Sequence, residues 1–177
     1  VDIPLLQCEK TEIWARPVSP YASNGVGMLF LPEVDDEVVL QFINEDPCHP
    51  VIIGSLYSRK RKTPVSLDPK NNLKTIVTKN QLKITLDDDK KIITIGTPGE
   101  NTLILDDDKK QILLSDANKN KVCMDKNGIM VESGKDLIFK ARGNVKTEGM
   151  GIESKSKQDT KINGLNIEVS AQMGVKV

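Results

Sequence analysis

Few residues of this 177-residue chain could perform chemistry, and their spacing fits no familiar catalytic or metal-binding arrangement. His49 is the single histidine, and it stands in a turn between Pro47 and Pro50. That is a poor position for the base of a Ser-His-Asp triad. Cys48 is its neighbour, but a zinc site needs two further ligands for which the sequence offers no suitable spacing.

Aspartate clusters suggest calcium binding or acid catalysis by a pair of carboxyl groups. The run 86–91, Leu-Asp-Asp-Asp-Lys-Lys, returns at 105–110, and the segment after Asp116 lacks the glycine and the glutamate of an EF-hand loop. These carboxyl groups lie in polar turns, where nothing would raise the pKa of one of them. The adjacent lysines favour solvated, self-neutralising turns. We therefore predict no catalytic residue, metal, cofactor or enzymatic activity.

The aspartate turns belong to a repeat of 19 residues, which returns in weaker form at 124–128. Each repeat has the pattern strand, polar turn, strand, turn, with strands predicted at 83–86, 92–95 and 102–105. Such short antiparallel hairpins have little to pack against within one chain. We expect residues 73–133 to form a β-prism that completes its core with copies of itself.

The tail, 134–177, carries a second and shorter repeat. Apolar or β-branched residues recur at alternating spacings of 8 and 7, and a parallel series lies two residues behind, so each unit predicts a short strand and a polar corner. The positions expected to form this core ladder are Leu137, Phe139, Val145, Thr147, Ile152, Ile162, Ile167, Val169, Val175 and Val177.

In a single chain, burying this ladder would stabilise the tail by less free energy than ordering the backbone costs. Ordering the tail costs about 1–2 kcal/mol of backbone entropy per residue, whereas each ladder side chain returns only about 1.5–3 kcal/mol when fully buried. Three chains around one axis bring their ladders together inside a triangular needle. A coiled coil fits less well, because Thr, Ser, Gly and Asn fill helical heptads poorly.

Composition excludes several other functions. The 25 basic and 25 acidic residues cancel, so no net field steers the chain to nucleic acid or to an anionic membrane. Five of the aromatic residues precede residue 60 and Phe139 alone follows it, which indicates a conventional core at the front. Three cysteines without CxxC spacing predict free thiols.

The front segment, 1–58, has the strand and turn pattern of a small β-barrel. Strands are predicted at 12–16, 27–31, 37–42 and 51–54, separated by turns rich in Gly, Pro, Asn and Asp. Pro32 and the acidic turn after it reverse the chain, and the two Xaa-Pro pairs at 46–50 bracket a second rigid turn.

Within this segment, the runs 14–22, 25–38 and 46–57 closely resemble the OB-fold domain of the VgrG spike proteins of type VI secretion systems and of phage baseplate spikes. One departure is Asp35, where the family usually has Gly. The repetitive tail is similar in kind to the β-helical needle of that family. The positions that carry the OB-fold resemblance are Trp14, Gly27, Phe30, Pro32, Glu33, Glu37, Asp46, Pro47, Pro50 and Gly54.

The resemblance implies a homotrimeric, cell-puncturing spike at the tip of a contractile injection machine. A PAAR-type tip protein would dock on Val175 and Val177, an Hcp-like tube and baseplate would meet the N-terminal side, and effectors would be carried. Contact with membranes would be limited to transient puncture, and nucleic acid is not expected as a partner. We expect assembly in the bacterial cytoplasm without a signal peptide, followed by ejection. The first residue is Val1, so we expect a C-terminal part of a longer protein.

Two other functions fit the sequence less well. A tailspike-like trimeric depolymerase would need an aromatic groove with acids, and Phe139 is the tail's one aromatic residue. An OB-fold module for nucleic acid could use the basic run 59–62, but the expected binding strands carry Glu33 and Glu37 instead of basic and aromatic residues.

The predicted fold is therefore all-β. It comprises an OB-fold barrel at 1–58, a linker at 59–72, a trimeric antiparallel β-prism at 73–133 and an intertwined triple-stranded β-helix needle at 134–177.

Overall fold

The computed structural model describes residues 1–3, 12–170 and 172 of the chain. Short β-strands joined by tight turns make up its regular structure, and the described residues contain no α-helix. Nothing among them could cross a membrane as a long apolar helix. The chain divides into two compact units, Val1–Asp136 and Leu137–Val177. The all-β prediction is confirmed.

The front of the first unit contains five strands. The strand bounds are β1 Arg16–Pro17, β2 Ala22–Ser23, β3 Val26–Gly27, β4 Val38–Phe42 and β5 Pro50–Ser55. β5 is central to a three-stranded sheet, where it pairs in parallel with β1 and antiparallel with β4, and β2 and β3 form a separate hairpin. A 3₁₀ turn, Ile43–Glu45, joins β4 to β5.

Two of the strands predicted here are shorter than expected. β1 begins at Arg16 instead of residue 12, and β3 ends at Gly27 instead of continuing to 31. Met28 still donates its N–H to the carbonyl of Tyr21 at 2.9 Å, but no strand is assigned to the residues that follow it. The apolar run 28–31 has β-forming residues without a partner strand at this edge.

Residues 73–132 form a seven-stranded antiparallel meander in which sequence neighbours are also neighbours in the sheet. One repeat of 19 residues comprises two five-residue strands, a four-residue turn and a five-residue turn. The strand bounds are β6 Leu73–Val77, β7 Lys83–Asp87, β8 Ile92–Gly96, β9 Thr102–Asp106, β10 Gln111–Ser115, β11 Lys121–Asp125 and β12 Gly128–Glu132.

The four-residue turns explain the aspartate and lysine runs. In the first, the carboxylate of Asp87 accepts hydrogen bonds from the backbone N–H groups of Asp89 and Lys90, at 3.1 and 3.0 Å. In the second, Asp106 accepts from the N–H of Lys109 at 2.9 Å and forms an ion pair with its ammonium group at 3.0 Å. These aspartates therefore close their own turns.

The second unit begins at Leu137, and its described residues are assigned to no strand. Every described member of the predicted core ladder is exposed, and among its apolar members the exposed fraction ranges from 50% at Leu137 to 75% at Phe139. Val175 and Val177 lie outside the described residues. A single chain thus leaves the ladder without a core, and the ladder stays a prediction for the assembled protein.

Candidate functional site: the apolar face of the seven-stranded sheet

One face of the seven-stranded sheet is almost entirely apolar. Successive side chains of a strand point to opposite faces, so the cross-strand register decides which residues share a face. Two rows of residues cross all seven strands on this face, which we call the apolar face. The first row is Lys74, Leu86, Ile93, Leu105, Ile112, Met124 and Ile129. The second row is Ile76, Ile84, Ile95, Leu103, Leu114, Val122 and Val131.

The apolar face has no cover within the chain. Ile93 exposes 39% of its surface, Leu114 52% and Ile129 71%, and among the thirteen apolar members only Leu103 and Val122 are half-buried. A contiguous strip of aliphatic side chains across seven strands is larger than the patches that monomeric proteins usually expose. The arrangement can therefore bind another apolar surface, and it offers no groups for chemistry.

The opposite face is mixed and internally satisfied. Its central row is Thr75, Thr85, Thr94, Ile104, Leu113, Cys123 and Met130. Beside this row, the hydroxyl groups of Thr102 and Ser115 lie 2.8 Å apart. Asp106 is 5% exposed, and the hydrogen bond from the N–H of Lys109, followed by that from its side chain, holds the pKa of this carboxyl below its usual value. The central row is half-buried from Thr75 to Leu113, and Cys123 is 5% exposed, so this face is better covered within the single chain than the apolar face is.

A single ion pair interrupts the apolar face at one corner. The ammonium group of Lys74 is paired with the carboxylate of Asp88 and also donates to the carbonyl of Asn71 at 2.6 Å. Both side chains remain about half exposed.

Several residues of the predicted OB-fold motif lie in turns of the front segment, and their hydrogen bonds hold those turns. The N–H of Glu33 donates to the Asp36 carboxylate at 2.9 Å, and the N–H of Asp36 returns a bond to the Glu33 carbonyl at 3.1 Å. Between them, Asp35 has a φ of 73°, in the left-handed region that glycine adopts most easily. This explains why a glycine at this position would suit the turn. The Glu33 carboxylate also reaches Lys79 in the β6–β7 turn, at 3.3 Å.

The second motif turn has the same character. The Asp46 carboxylate accepts a hydrogen bond from the N–H of Cys48 at 2.8 Å and lies 3.0 Å from Nδ1 of His49. These two bonds, the first being the stronger cause, lower the pKa of Asp46. Pro50 begins β5, so the turn positions that strand.

The remaining motif residues take two different places. Trp14 and Phe30 are highly exposed, at 98% and 66%, whereas Gly27 approaches the backbone of Tyr21 so closely that a Cβ would lie 2.6 Å from its carbonyl oxygen. Pro32, Glu37, Pro47 and Gly54 lie in or beside the turns and strands already described. No group of three potential metal ligands occurs among the described residues.

Sequence reasoning predicted that this region needs copies of itself, but it did not name the apolar face. The information was present as period-2 alternation: Ile84 with Leu86, Ile93 with Ile95 and Ile112 with Leu114 each place two aliphatic residues on one side of a strand.

Two family models match this chain. Residues 1–57 match the type VI secretion system/phage-baseplate injector OB domain, and residues 91–146 match the phage baseplate V C-terminal trimerisation domain. The second match includes β8 to β12 and thus most of the apolar face.

Curated relatives agree with these matches. The chain is similar to the type VI secretion system spike protein VgrG3 of Vibrio cholerae, with 33% identity over 39% of this chain and 7% of the relative. Spike protein VgrG4b of Pseudomonas aeruginosa is 32% identical over 38% of this chain and 8% of the relative. The actin cross-linking toxin VgrG1 of Vibrio cholerae is 30% identical over 39% and 6%, respectively. The matched region thus spans less than a tenth of the length of these relatives.

Proposed function

Because this chain belongs to the VgrG-type spike family of type VI secretion systems and phage baseplates, we propose that it is the piercing part of a homotrimeric spike. One observation carries the proposal: an exposed aliphatic face crosses the whole seven-stranded sheet, and most of it falls in the segment that matches a trimerisation domain. The role proposed is mechanical.

Three copies of the apolar face would meet around a threefold axis. Each aliphatic side chain is already partly covered by its strand neighbours, and the remaining exposed part is worth about 1 kcal/mol per residue when it is removed from water. Over thirteen such positions this amounts to about 10 kcal/mol per protomer before the cost of association is subtracted. That is enough to hold a trimer at low concentration.

The tail would continue the trimer as a needle. In that assembly the side chains of the core ladder, which lie between residues 137 and 177, would point inward from all three chains. Strands of adjacent layers would be about 4.7 Å apart, so the six repeat units of the tail would have a length of roughly 30 Å. Hydrogen bonds between neighbouring strands would run along the axis, and no lateral sheet edge would remain open. Such a rod resists bending without needing any reactive side chain.

The partners proposed follow from this geometry and from the family. By resemblance to the family, Val175 and Val177 of three chains would form the docking surface for a PAAR-type tip protein. The OB-fold side would face an Hcp-like tube and the baseplate, and effectors would travel with the spike. Assembly in the bacterial cytoplasm followed by ejection completes the proposal.

We propose no enzymatic activity for residues 1–177. The toxin name of one relative describes that protein, of which the match covers 6%. The one turn that brings together a carboxylate, a histidine and a cysteine is that of Asp46, Cys48 and His49 among the described residues. There the carboxylate accepts the N–H of Cys48 and contacts His49, and Cys48 is exposed.

The oligomeric state tests the proposal directly. Mass photometry or sedimentation velocity at micromolar protein should give a species of three times the 19.6 kDa chain mass. A monomer at that concentration would contradict the spike assignment, and a dimer would contradict the threefold packing of the apolar face.

A further inference from the structure

The third five-residue turn of the meander, 116–120, differs in sequence from its two predecessors. Asp116 and Asn118 occupy the places that Thr97 and Gly99 hold one repeat earlier. The backbone geometry is nevertheless shared, because the fourth residue of each turn has a positive φ: 63° at Gln81, 62° at Glu100 and 67° at Lys119. The change of side chains therefore needs an explanation other than the shape of the turn.

The Asp116 carboxylate organises this turn from within. One oxygen accepts the backbone N–H groups of Asn118 and Asn120, at 2.8 and 2.9 Å. The other accepts the side-chain amide groups of the same two asparagines, at 3.3 and 2.8 Å. The four hydrogen bonds hold the Asp116 carboxylate in place, and the one from Nδ2 of Asn120 orients the Asn120 carboxamide. Together they lower the pKa of Asp116, the backbone bond from Asn120 being the largest cause.

The fixed carboxamide of Asn120 points at a distant part of the chain. Its oxygen lies 2.9 Å from the Ser133 hydroxyl and accepts the N–H of Gly134 at 3.2 Å. The Ser133 hydroxyl also lies 3.1 Å from the carbonyl oxygen of Asp136 and accepts the N–H of Lys135 at 3.2 Å. In the preceding repeat, the side chain of Asn101 bonds Thr97 of its own turn, at 3.2 Å.

Close packing accompanies these bonds. A Cβ added to Gly134 would lie 2.4 Å from the backbone carbonyl oxygen of Asn118, so only glycine lets the two segments approach this closely. By contrast, Gly99 in the preceding turn has its nearest neighbour at 3.9 Å from such a Cβ.

The contact lies where the antiparallel meander stops. β12 ends at Glu132, and the chain then follows the 116–120 turn instead of folding back as an eighth strand. The first compact unit ends four residues later, at Asp136.

We propose that Asp116 and Asn120 form a clasp that ends the sheet and holds residues 133–136 as a fixed base from which the tail continues. The clasp itself lies within one chain. Its use as the base of a needle rests on the proposed function.

Trypsin provides a local probe, because the exposed Lys135 lies inside the clasped segment. Cleavage at a folded site requires local opening, and its rate follows the equilibrium of that opening when reclosure is fast. In Asn120→Ala, two hydrogen bonds to residues 133 and 134 are lost, so cleavage after Lys135 should accelerate about tenfold. The matched control is Asn101→Ala in the equivalent turn, which should leave that cleavage unchanged.

A second pair of variants tests the close approach by other means. Gly134→Ala should accelerate the same cleavage at least as much as Asn120→Ala, whereas Gly99→Ala should not. The full chain is digested under native conditions, and the fragments are identified by mass spectrometry. Equal rates in the wild type, Asn120→Ala and Gly134→Ala would overturn the clasp, as would equal acceleration in the two control variants.

The oligomer mass of each sample separates this proposal from the spike assignment. If the wild type is monomeric yet Asn120→Ala still exposes Lys135, the spike assignment fails and the clasp stands. If trimers form but cleavage does not respond to either clasp variant, the clasp fails and the spike assignment stands.

Discussion

A charge placed on the apolar face tests the core of the trimer assignment. Ile93 lies in β8 with Leu86 and Leu105 as its register neighbours, and Ile93→Asp puts a carboxyl group at that position. The next residue, Thr94, points to the opposite face. Thr94→Asp therefore adds the same charge to the same strand, without entering the proposed interface.

The magnitude follows from burial. Ile93 exposes 39% of its surface in the single chain, and covering that part in a trimer returns about 1 kcal/mol per protomer. An aspartate at this position loses that burial free energy. Its charged carboxylate must also enter an apolar environment without a cationic partner, which costs several kcal/mol. A total of about 4 kcal/mol per protomer gives about 12 kcal/mol for three copies. The midpoint concentration of a monomer–trimer equilibrium follows the square root of its dissociation constant, so it should rise about four orders of magnitude.

Sedimentation velocity across a dilution series measures that midpoint. Ile93→Asp should be monomeric at micromolar concentrations where the wild type and Thr94→Asp are trimeric, with β-sheet circular dichroism retained at the level of the single chain. Trimers of Ile93→Asp at the wild-type midpoint would refute the packing of this face. Equal disruption by Thr94→Asp would show that the two faces are not distinguished.

Three further predictions follow from other features. Because the pKa of Asp106 is lowered in the fold, its hydrogen bonds stabilise the folded chain fully above the usual pKa of 3.8, and this stabilisation is lost as the pH falls through the lowered value. The melting temperature of Asp106→Asn should therefore fall less steeply below about pH 4 than that of the wild type. Parallel curves of melting temperature against pH would contradict this. Deleting residues 134–177 should lower the thermal stability of the trimer, and a truncated trimer that melts at the wild-type temperature would remove the case for an inward ladder. Replacing the one charged member of the apolar rows, Lys74→Met, together with Asp88→Asn, should change the stability of the trimer by less than about 1 kcal/mol in denaturant titration, because an ion pair whose side chains are about half exposed contributes little. A clearly weaker trimer would show that the pair contributes net stability.

Much of this fold could be predicted because its determinants are local. Strands β7, β8 and β9 lie within one residue of the prediction, since alternating aliphatic residues and charged turns repeat every 19 residues. The aspartate turns likewise depend on hydrogen bonds that span two or three residues, such as those of Asp87. The front strands were less accurate. β1 pairs with β5, which is distant in sequence, and β3 is limited to a two-residue pairing with the neighbouring β2, so the predicted strand 27–31 is not formed as such.

The sequence by itself determined the all-β class, the repeat, the turns and the need for further copies, because periodicity and turn chemistry act over a few residues. The tertiary structure decided which aliphatic residues share the apolar face, since that depends on the register of seven strands. It also brought Asn120 to Ser133 and Gly134, a contact between two turns that no local pattern encodes. The proposed burial of the tail's ladder would need side chains from other copies of the chain, so neither the sequence nor the fold of one chain decides it.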